Sequence, residues 1–176
     1  MAMELLGARH LDVFFGPAEA ARSMRENLEG VVSTFTWVAT VDAFQHWTYT
    51  HPGHNRRERR DAWLSIVQRF SDGVDWTGYE EVRGYAWHRQ LHIFLYPFYY
   101  IEYAIAQLGA LQVWLAARAN PEKALAEYRR GLALGGSRPL PQLFEGAGVK
   151  LDFSEAMLRK LLDAVRDEIV RIRGMS

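Results

Sequence analysis

Two histidines and a cluster of tyrosines lie close together in the segment WHRQLHIFLYPFYYIEY, residues 87–103. The four tyrosines of this segment, half of the eight in the chain, are Tyr96, Tyr99, Tyr100 and Tyr103. Phenol hydroxyls and imidazoles can donate hydrogen bonds to a carbonyl oxygen and stabilise the negative charge that it gains in a reaction. The residue types therefore indicate a site that holds and polarises a carbonyl group.

The spacing of the tyrosines predicts how they would be presented. Tyr96, Tyr100 and Tyr103 stand at positions i, i+4 and i+7, so on a helix they share one face, with Pro97 as a helix start or a kink. Tyr99 lies one step round the same helix. One interpretation is a row of O–H donors facing a cleft, and the other is an aromatic core helix whose hydroxyls reach the surface. The spacing alone leaves both interpretations open.

The histidines do not form a recognisable metal site. His88 and His92 have the spacing of two ligands on one helix turn, but a zinc site needs three or four ligands. The catalytic motif H-E-x-x-H occurs nowhere in the chain, and there is no cysteine. A second group, His46, His51 and His54, straddles a predicted helix end, where histidines commonly cap carbonyls. We therefore predict no metal site and no cofactor in this chain alone.

Composition excludes several classes of function. The 176 residues contain 21 Lys plus Arg and 21 Asp plus Glu, so a general polyanion binder is not expected. Four arginines surround Glu58 at positions 56, 57, 59 and 60, which we interpret as a solvated helix face rather than a nucleic-acid patch. The first residues do not show the pattern of a signal peptide, and no apolar run reaches about 18 residues. We expect a cytoplasmic protein that binds neither nucleic acid nor membrane.

The elements that must position the cluster are helical almost throughout. Apolar residues recur at three- and four-residue steps and predict a single all-α domain over residues 1–176. The predicted helices run from Pro17 to about Tyr49, from an Asn55 cap to about Asp72–Gly73, from Pro97 to Ala119, from an Asn120 cap to Gly135–Gly136, and along a stripe from Leu158 to Ile172. No segment has the alternation of a strand.

Four long segments resemble the C-terminal part of oligoendopeptidase F, a zinc metallopeptidase of the thimet-oligopeptidase group. The segments are TVDAFQHWTYTHPGH at 40–54, WHRQLHIF at 87–94, PFYYIEYAIAQLGALQVW at 97–114 and GGSRPLPQLFEGAGV at 135–149. The likeness extends in order over nearly the whole chain. It implies a helical, two-lobed peptidase that cuts short peptides in a deep channel, with this chain as a multi-helix part of its C-terminal region.

The resemblance also implies roles for the residues of the cluster. In the family a histidine and tyrosines contact the substrate and the oxyanion, and this pattern places His92, Tyr100 and Tyr103 in catalytic roles. Tyr96, Tyr99 and His88 are then expected to bind substrate. The family's zinc is held by the two histidines of H-E-x-x-H and a downstream glutamate, and the motif glutamate acts as general base. These groups precede the matching region, so zinc belongs to the complete enzyme only.

Three interpretations of the chain follow because the zinc ligands and the general base of the family are not encoded in it. It is the substrate-binding and oxyanion-stabilising portion of a split peptidase, or a stand-alone helical module that binds peptides without cutting them, or a truncated gene product. Its expected partners are short peptides, together with either an N-terminal peptidase half or a second copy of itself. We expect self-association because apolar side chains of the first helices would lose a covering lobe.

The missing H-E-x-x-H motif gives a direct prediction about activity. The isolated chain should show no zinc-dependent cleavage of a fluorogenic peptide, because neither the metal ligands nor the general base are encoded in it. Cleavage above background that a chelator abolishes would contradict this expectation.

Overall fold

The computed structural model describes residues 1–70 and 73–174 and contains only helices and connections in these ranges. The predicted all-α class is confirmed. The α-helices are α1 (Ala2–Gly7), α2 (Pro17–Thr50), α3 (Arg56–Arg69), α4 (Glu80–Gly84), α5 (His92–Leu95), α6 (Ile101–Ala119), α7 (Pro121–Ala133), α8 (Leu140–Gly146) and α9 (Glu155–Arg173). Short 3₁₀ helices at Ala8–Val13 and Ala86–Arg89 complete the described chain. None of the described helices is long and apolar enough to cross a membrane.

Two compact units make up the chain. One comprises Met1–Val32 and Ile105–Ser176, and the other is the continuous segment Ser33–Ala104. The second unit contains all the candidate site residues. The prediction that residues 1–176 form one domain stays a prediction.

The 33–104 unit is built on an aromatic core. Phe44 of α2, Trp63 and Ile66 of α3, and Trp87 of the 3₁₀ helix are buried together. The Phe44 ring lies 5.1 Å from Trp63 and 5.3 Å from Trp87. Large rings with few rotatable bonds bury much area at a small entropic cost, so they hold short helices that could not persist alone. The indole of Trp63 also donates a hydrogen bond to the carbonyl of Arg83, which attaches α4 to this core.

The start of α3 follows the predicted capping chemistry. The Asn55 side chain accepts hydrogen bonds from the backbone of Arg57 and Glu58, and the Glu58 carboxylate accepts from the Asn55 backbone. This reciprocal arrangement is a capping box. The helix ends at Arg69, and the predicted end at Asp72 lies outside the described residues. Just before α3, the imidazoles of His51 and His54 bond the carbonyls of Trp47 and His51, as the capping interpretation predicted.

The unit formed by Met1–Val32 and Ile105–Ser176 contains the amphipathic helices α7 and α9. The predicted stripe of α9 is buried at Leu161, Val165 and Ile172. At the start of α7 the Asn120 side chain accepts from the Lys123 backbone, with Pro121 at the first helical position. Helix α7 packs on α8 so closely that a Cβ on Gly131 would come within 2.6 Å of the Ala147 Cβ.

Helix α6 begins later than the sequence predicted. The apolar pattern suggested a helix from Pro97, but the structure has a turn there and α6 starts at Ile101. The short helix α8 begins at Leu140, with Pro141 in its first turn. In both cases a proline occupies the turn or the first helical positions, where its missing N–H costs nothing.

A charge buried on α9 gives a prediction about stability. Glu168 is 7% exposed and binds Arg118 at 3.0 Å and Arg171 at 2.6 Å. The hydrogen bond from Arg171, followed by the charge of Arg118, lowers the pKa of this carboxyl despite its burial. Glu168→Gln should lower the free energy of unfolding at pH 7 by about 1.5–3 kcal/mol, because a hydrogen bond to a charged group is lost.

The sign of the pH dependence follows from the lowered pKa. The ionised form is favoured in the folded state, so its stabilisation is present above the unfolded pKa of about 4.3 and is lost as the pH falls through the folded pKa. Urea titrations from pH 7 to pH 3 should therefore show the gap between wild type and Glu168→Gln closing in acid. A constant gap would show that the charge of Glu168 does not contribute.

Candidate functional site

A four-residue turn before α6 contains two of the four tyrosines, Tyr96 and Tyr99. The Tyr99 backbone donates a hydrogen bond to the Tyr96 carbonyl at 3.2 Å, with Pro97 and Phe98 at the two central positions. Phe98 has a φ of 57°, in the left-handed region that the third position of a type II turn requires. The prediction that Tyr96, Tyr100 and Tyr103 share one helix face is therefore wrong, because Tyr96 and Tyr100 precede α6.

The strained Phe98 is held by ring contacts. A non-glycine residue in the left-handed region costs about 1–3 kcal/mol and persists only where the surroundings fix it. The Phe98 ring lies 4.9 Å from His46 and 5.0 Å from Tyr49, both on α2. These contacts stabilise the turn that reverses the chain between α5 and α6.

The turn brings four tyrosines around one imidazole. His92, the first residue of α5, is surrounded by the rings of Tyr100 at 5.0 Å, Tyr103 at 5.7 Å, Tyr99 at 6.0 Å and Tyr96 at 6.1 Å. The Tyr99 ring is stacked on His92, whereas those of Tyr100 and Tyr103 meet it edge to face. We call these five residues the His92 cluster. The structure thus brings together five of the six predicted site residues.

Hydrogen bonds connect the His92 cluster to two further side chains. His92 Nε2 lies 3.2 Å from the Tyr103 hydroxyl, and His92 Nδ1 lies 2.7 Å from the Gln90 amide nitrogen. The Trp37 indole N–H of α2 is shared between the Gln90 amide oxygen at 3.3 Å and the Tyr100 hydroxyl at 3.0 Å. The result is a continuous polar network from Trp37 to Tyr103.

Burial raises the pKa of Tyr100. Desolvation raises the pKa of its hydroxyl above the ordinary value of 10.0, and this effect outweighs the Trp37 hydrogen bond, which acts in the opposite direction. Tyr103 raises the pKa further and the Arg89 guanidinium lowers it. At neutral pH Tyr100 is therefore a phenol with a hydrogen to donate, not a phenolate.

His88, the sixth predicted residue, lies apart from the His92 cluster. It belongs to the 3₁₀ helix and its ring contacts are with Trp87 at 4.1 Å, Tyr85 at 5.4 Å and Phe94 at 6.4 Å. Because Gln90 ends that helix before α5 starts, His88 and His92 do not share one helix turn. The four-residue spacing of His88 and His92 therefore does not place them as a pair of metal ligands on one helix turn.

Sequence reasoning missed Trp37 and Gln90. Trp37 lies on the long helix α2 more than 50 residues from the cluster, and nothing in its local pattern marks it as polar in function. Gln90 stands two residues before His92, and this proximity was the only available signal. Their roles depend on a contact between distant parts of the chain.

Comparisons with known proteins identify the family. Residues 2–162 match the family model described as peptidase family M3. The chain belongs to this family. The predicted resemblance to oligoendopeptidase F is confirmed as well, since solved structures of such proteins share the fold.

Three solved structures are similar over almost the whole chain. PZ peptidase A with inhibitor 2 is 28% identical, with a TM-score of 0.90 over 99% of this chain and 31% of that one. A protein classed as oligoendopeptidase F is 29% identical, with a TM-score of 0.87 over 96% of this chain and 30% of that one. Another, from Bacillus anthracis str. Ames, is 25% identical, with a TM-score of 0.75 over 97% and 27%.

The chain covers only part of the length of the structures that it matches. This chain spans about 30% of the first two structures, which fits a C-terminal part of such an enzyme. The comparison with curated proteins finds no match.

The raised pKa of Tyr100 predicts a pH effect on stability. Tyr100→Phe should be less stable than wild type at pH 8 by about 0.5–1.5 kcal/mol, because the bond from Trp37 is lost. Above pH 10 the unfolded chain releases the Tyr100 proton first, so wild type loses stability with rising pH until the folded pKa is reached. The gap between the two proteins should narrow from pH 9 to pH 11 in urea titrations.

Tyr79→Phe serves as the matched control. Tyr79 is 63% exposed, so removal of its hydroxyl should change the free energy of unfolding by close to zero. A Tyr100→Phe gap that widens above pH 10 would contradict the assigned direction of the pKa.

Proposed function

We propose that this chain is the substrate-binding and oxyanion-stabilising portion of an oligopeptide-cleaving zinc metalloendopeptidase of the oligoendopeptidase F type. The observation that carries the proposal is the His92 cluster, in which the Tyr103 hydroxyl is bonded to His92 and the Tyr100 hydroxyl lies in the same ring assembly. Membership of peptidase family M3 supplies the reaction class. The assignments of His92, Tyr100 and Tyr103 as catalytic residues are part of this proposal.

The proposed role of His92, Tyr100 and Tyr103 is to stabilise negative charge on a substrate oxygen. When the amide of a peptide is attacked, its carbonyl oxygen becomes an oxyanion in the tetrahedral intermediate. Neutral phenols that are already oriented can donate hydrogen bonds to this oxygen without reorganisation, which favours the transition state over the bound substrate. Tyr100 is such a neutral phenol at pH 7, and burial raises its pKa further.

The more exposed members of the cluster suit substrate binding. Tyr96 and Tyr99 are 57% and 49% exposed, and the flat faces of their rings can pack against peptide side chains while the hydroxyls stay hydrated. His88 is exposed as well, but it lies with Tyr85 and Trp87 rather than with His92. We therefore propose a substrate contact for Tyr96 and Tyr99 near the reacting carbonyl, and for His88 at a separate point.

The described residues do not fit zinc. In residues 1–70 and 73–174, no group of three or more His, Cys, Asp or Glu side chains could hold a metal ion. The zinc of the family is therefore assigned to a part of the enzyme other than these residues. The chain contributes hydrogen-bond donors and ring surfaces, and the proposed partner is a polypeptide that carries the H-E-x-x-H segment.

A peptide-binding module without catalysis is the second candidate. It is favoured by the exposed rings of Tyr96 and Tyr99, which need no metal in order to hold a peptide. The two candidates differ in one outcome, which is whether cleavage appears when the metal-binding segment is supplied.

The test pairs this chain with a polypeptide that carries the H-E-x-x-H segment of an M3 peptidase. Hydrolysis of a fluorogenic oligopeptide should appear only when both are present. Tyr103→Phe should then lower kcat by about 10²–10³ with a small change in KM, because its hydroxyl acts mainly in the transition state. Tyr79→Phe, which changes an exposed tyrosine outside the cluster, should have no effect.

Other outcomes have distinct meanings. A higher KM with unchanged kcat in Tyr103→Phe would make Tyr103 a binding residue only. Peptide binding without hydrolysis in the paired sample would favour the non-catalytic module. Activity that is insensitive to both Tyr100→Phe and Tyr103→Phe would reject an oxyanion role for the cluster.

A further inference from the structure

In the hydrogen-bond network around His92, the chemical types of the groups determine which atom donates and which accepts in each bond. An indole N–H can only donate, so the oxygen of the Gln90 amide must be the atom that faces Trp37. With the amide turned the other way, two N–H groups would face each other at 3.3 Å. The Trp37 indole therefore decides which end of the Gln90 amide reaches His92.

The orientation of Gln90 then determines the tautomer of His92. Its NH₂ group faces Nδ1 at 2.7 Å and donates to it, so Nδ1 must be the unprotonated nitrogen of the neutral ring. The remaining hydrogen is on Nε2, which lies 3.2 Å from the Tyr103 hydroxyl. His92 thus donates to the Tyr103 oxygen instead of taking its hydrogen.

The bond from Trp37 also determines how the Tyr100 hydroxyl is used. Its hydroxyl oxygen accepts the Trp37 N–H at 3.0 Å, so its own hydrogen is directed elsewhere. Within the described residues, no acceptor bonds the hydroxyl hydrogen of Tyr100 once this bond is made, nor that of Tyr103 once His92 donates to it. Both phenols are therefore polarised by an incoming bond and retain a hydrogen for another acceptor.

We propose that Trp37 and Gln90 are positioning residues that hold His92 in the Nε2–H tautomer, so that Tyr103 and Tyr100 keep their hydroxyl hydrogens for a substrate oxygen. The use of these hydrogens on an oxyanion rests on the proposed function, whereas the tautomer of His92 does not. Trp37 is suited to this task because its ring is packed edge to face on the buried Trp63 at 6.0 Å, which fixes the direction of its N–H.

The tautomer can be measured on this chain without any peptidase activity. In a sample labelled with ¹⁵N-histidine, long-range proton–nitrogen correlation spectra distinguish a protonated Nε2 from a protonated Nδ1. In the neutral imidazole, the Nε2–H form should exceed the other by at least about tenfold, since the alternative leaves a donor facing a donor. A predominant Nδ1–H form in wild type overturns the proposal.

Gln90→Glu reverses the expected direction of the network. A carboxylate can only accept, so it should draw the hydrogen of His92 to Nδ1 and leave Nε2 to accept from Tyr103. Trp37→Phe keeps an aromatic ring but removes the N–H that orients Gln90, and it should give a mixture of the two tautomers. Gln68→Glu makes the same charge change on an exposed residue of α3 and should leave the wild-type spectrum unchanged.

The rate measurement separates this proposal from the proposed function. In the paired enzyme, Gln90→Glu should lower kcat toward the value of Tyr103→Phe with little change in KM, because the Tyr103 hydrogen is then bonded to His92. A reversed tautomer with an unchanged rate would reject the oxyanion role of Tyr103 but keep the positioning role of Gln90. An unchanged tautomer in a folded Gln90→Glu protein would reject the positioning role. If that variant does not fold, the wild-type spectrum still decides between the two tautomers.

Discussion

The indole N–H of Trp37 is the interaction on which the candidate site depends. It is a single donor shared by two acceptors, the Gln90 amide oxygen and the Tyr100 hydroxyl, and it comes from a helix that is distant in sequence from both. Because the Trp37 ring is packed on Trp63 in the aromatic core, the orientation of the donor is set by hydrophobic packing. The packing of the Trp37 ring thus fixes the direction of its N–H and, through it, the orientation of the Gln90 amide.

The turn between α5 and α6 is the second constraint. A helix running through Pro97 would have placed the tyrosines in a row along one face. The turn instead folds the tyrosines around His92, so that their rings approach it from several sides. The left-handed conformation of Phe98 has an energetic cost, and the contacts of its ring with His46 and Tyr49 offset it. Local strain at such a position is typical of functional sites.

The His92 cluster is organised by its own hydrogen bonds and ring contacts. Among residues 1–70 and 73–174, the partners in these contacts all belong to the 33–104 unit. Electrostatic preorganisation of this kind is effective because the donors are oriented before charge develops on the substrate. A division of labour follows from the proposal, in which this chain supplies oriented donors and a different segment supplies the metal and the general base.

The sequence by itself determined the helical class, the caps at Asn55 and Asn120, the family and the residues of the His92 cluster. Each of these depends on local chemistry, such as a side-chain oxygen before a helix or a run of residues characteristic of a family. The tertiary structure decided where α6 starts, how the tyrosines surround His92, and that Trp37 and Gln90 belong to the network. The apolar periodicity continues through Pro97 and so predicts too early a start for α6, whereas the contacts that stabilise the turn come from α2. Hydrogen bonds between residues 37, 90 and 100 leave no periodic trace in the sequence, because they exist only after packing has brought those residues together.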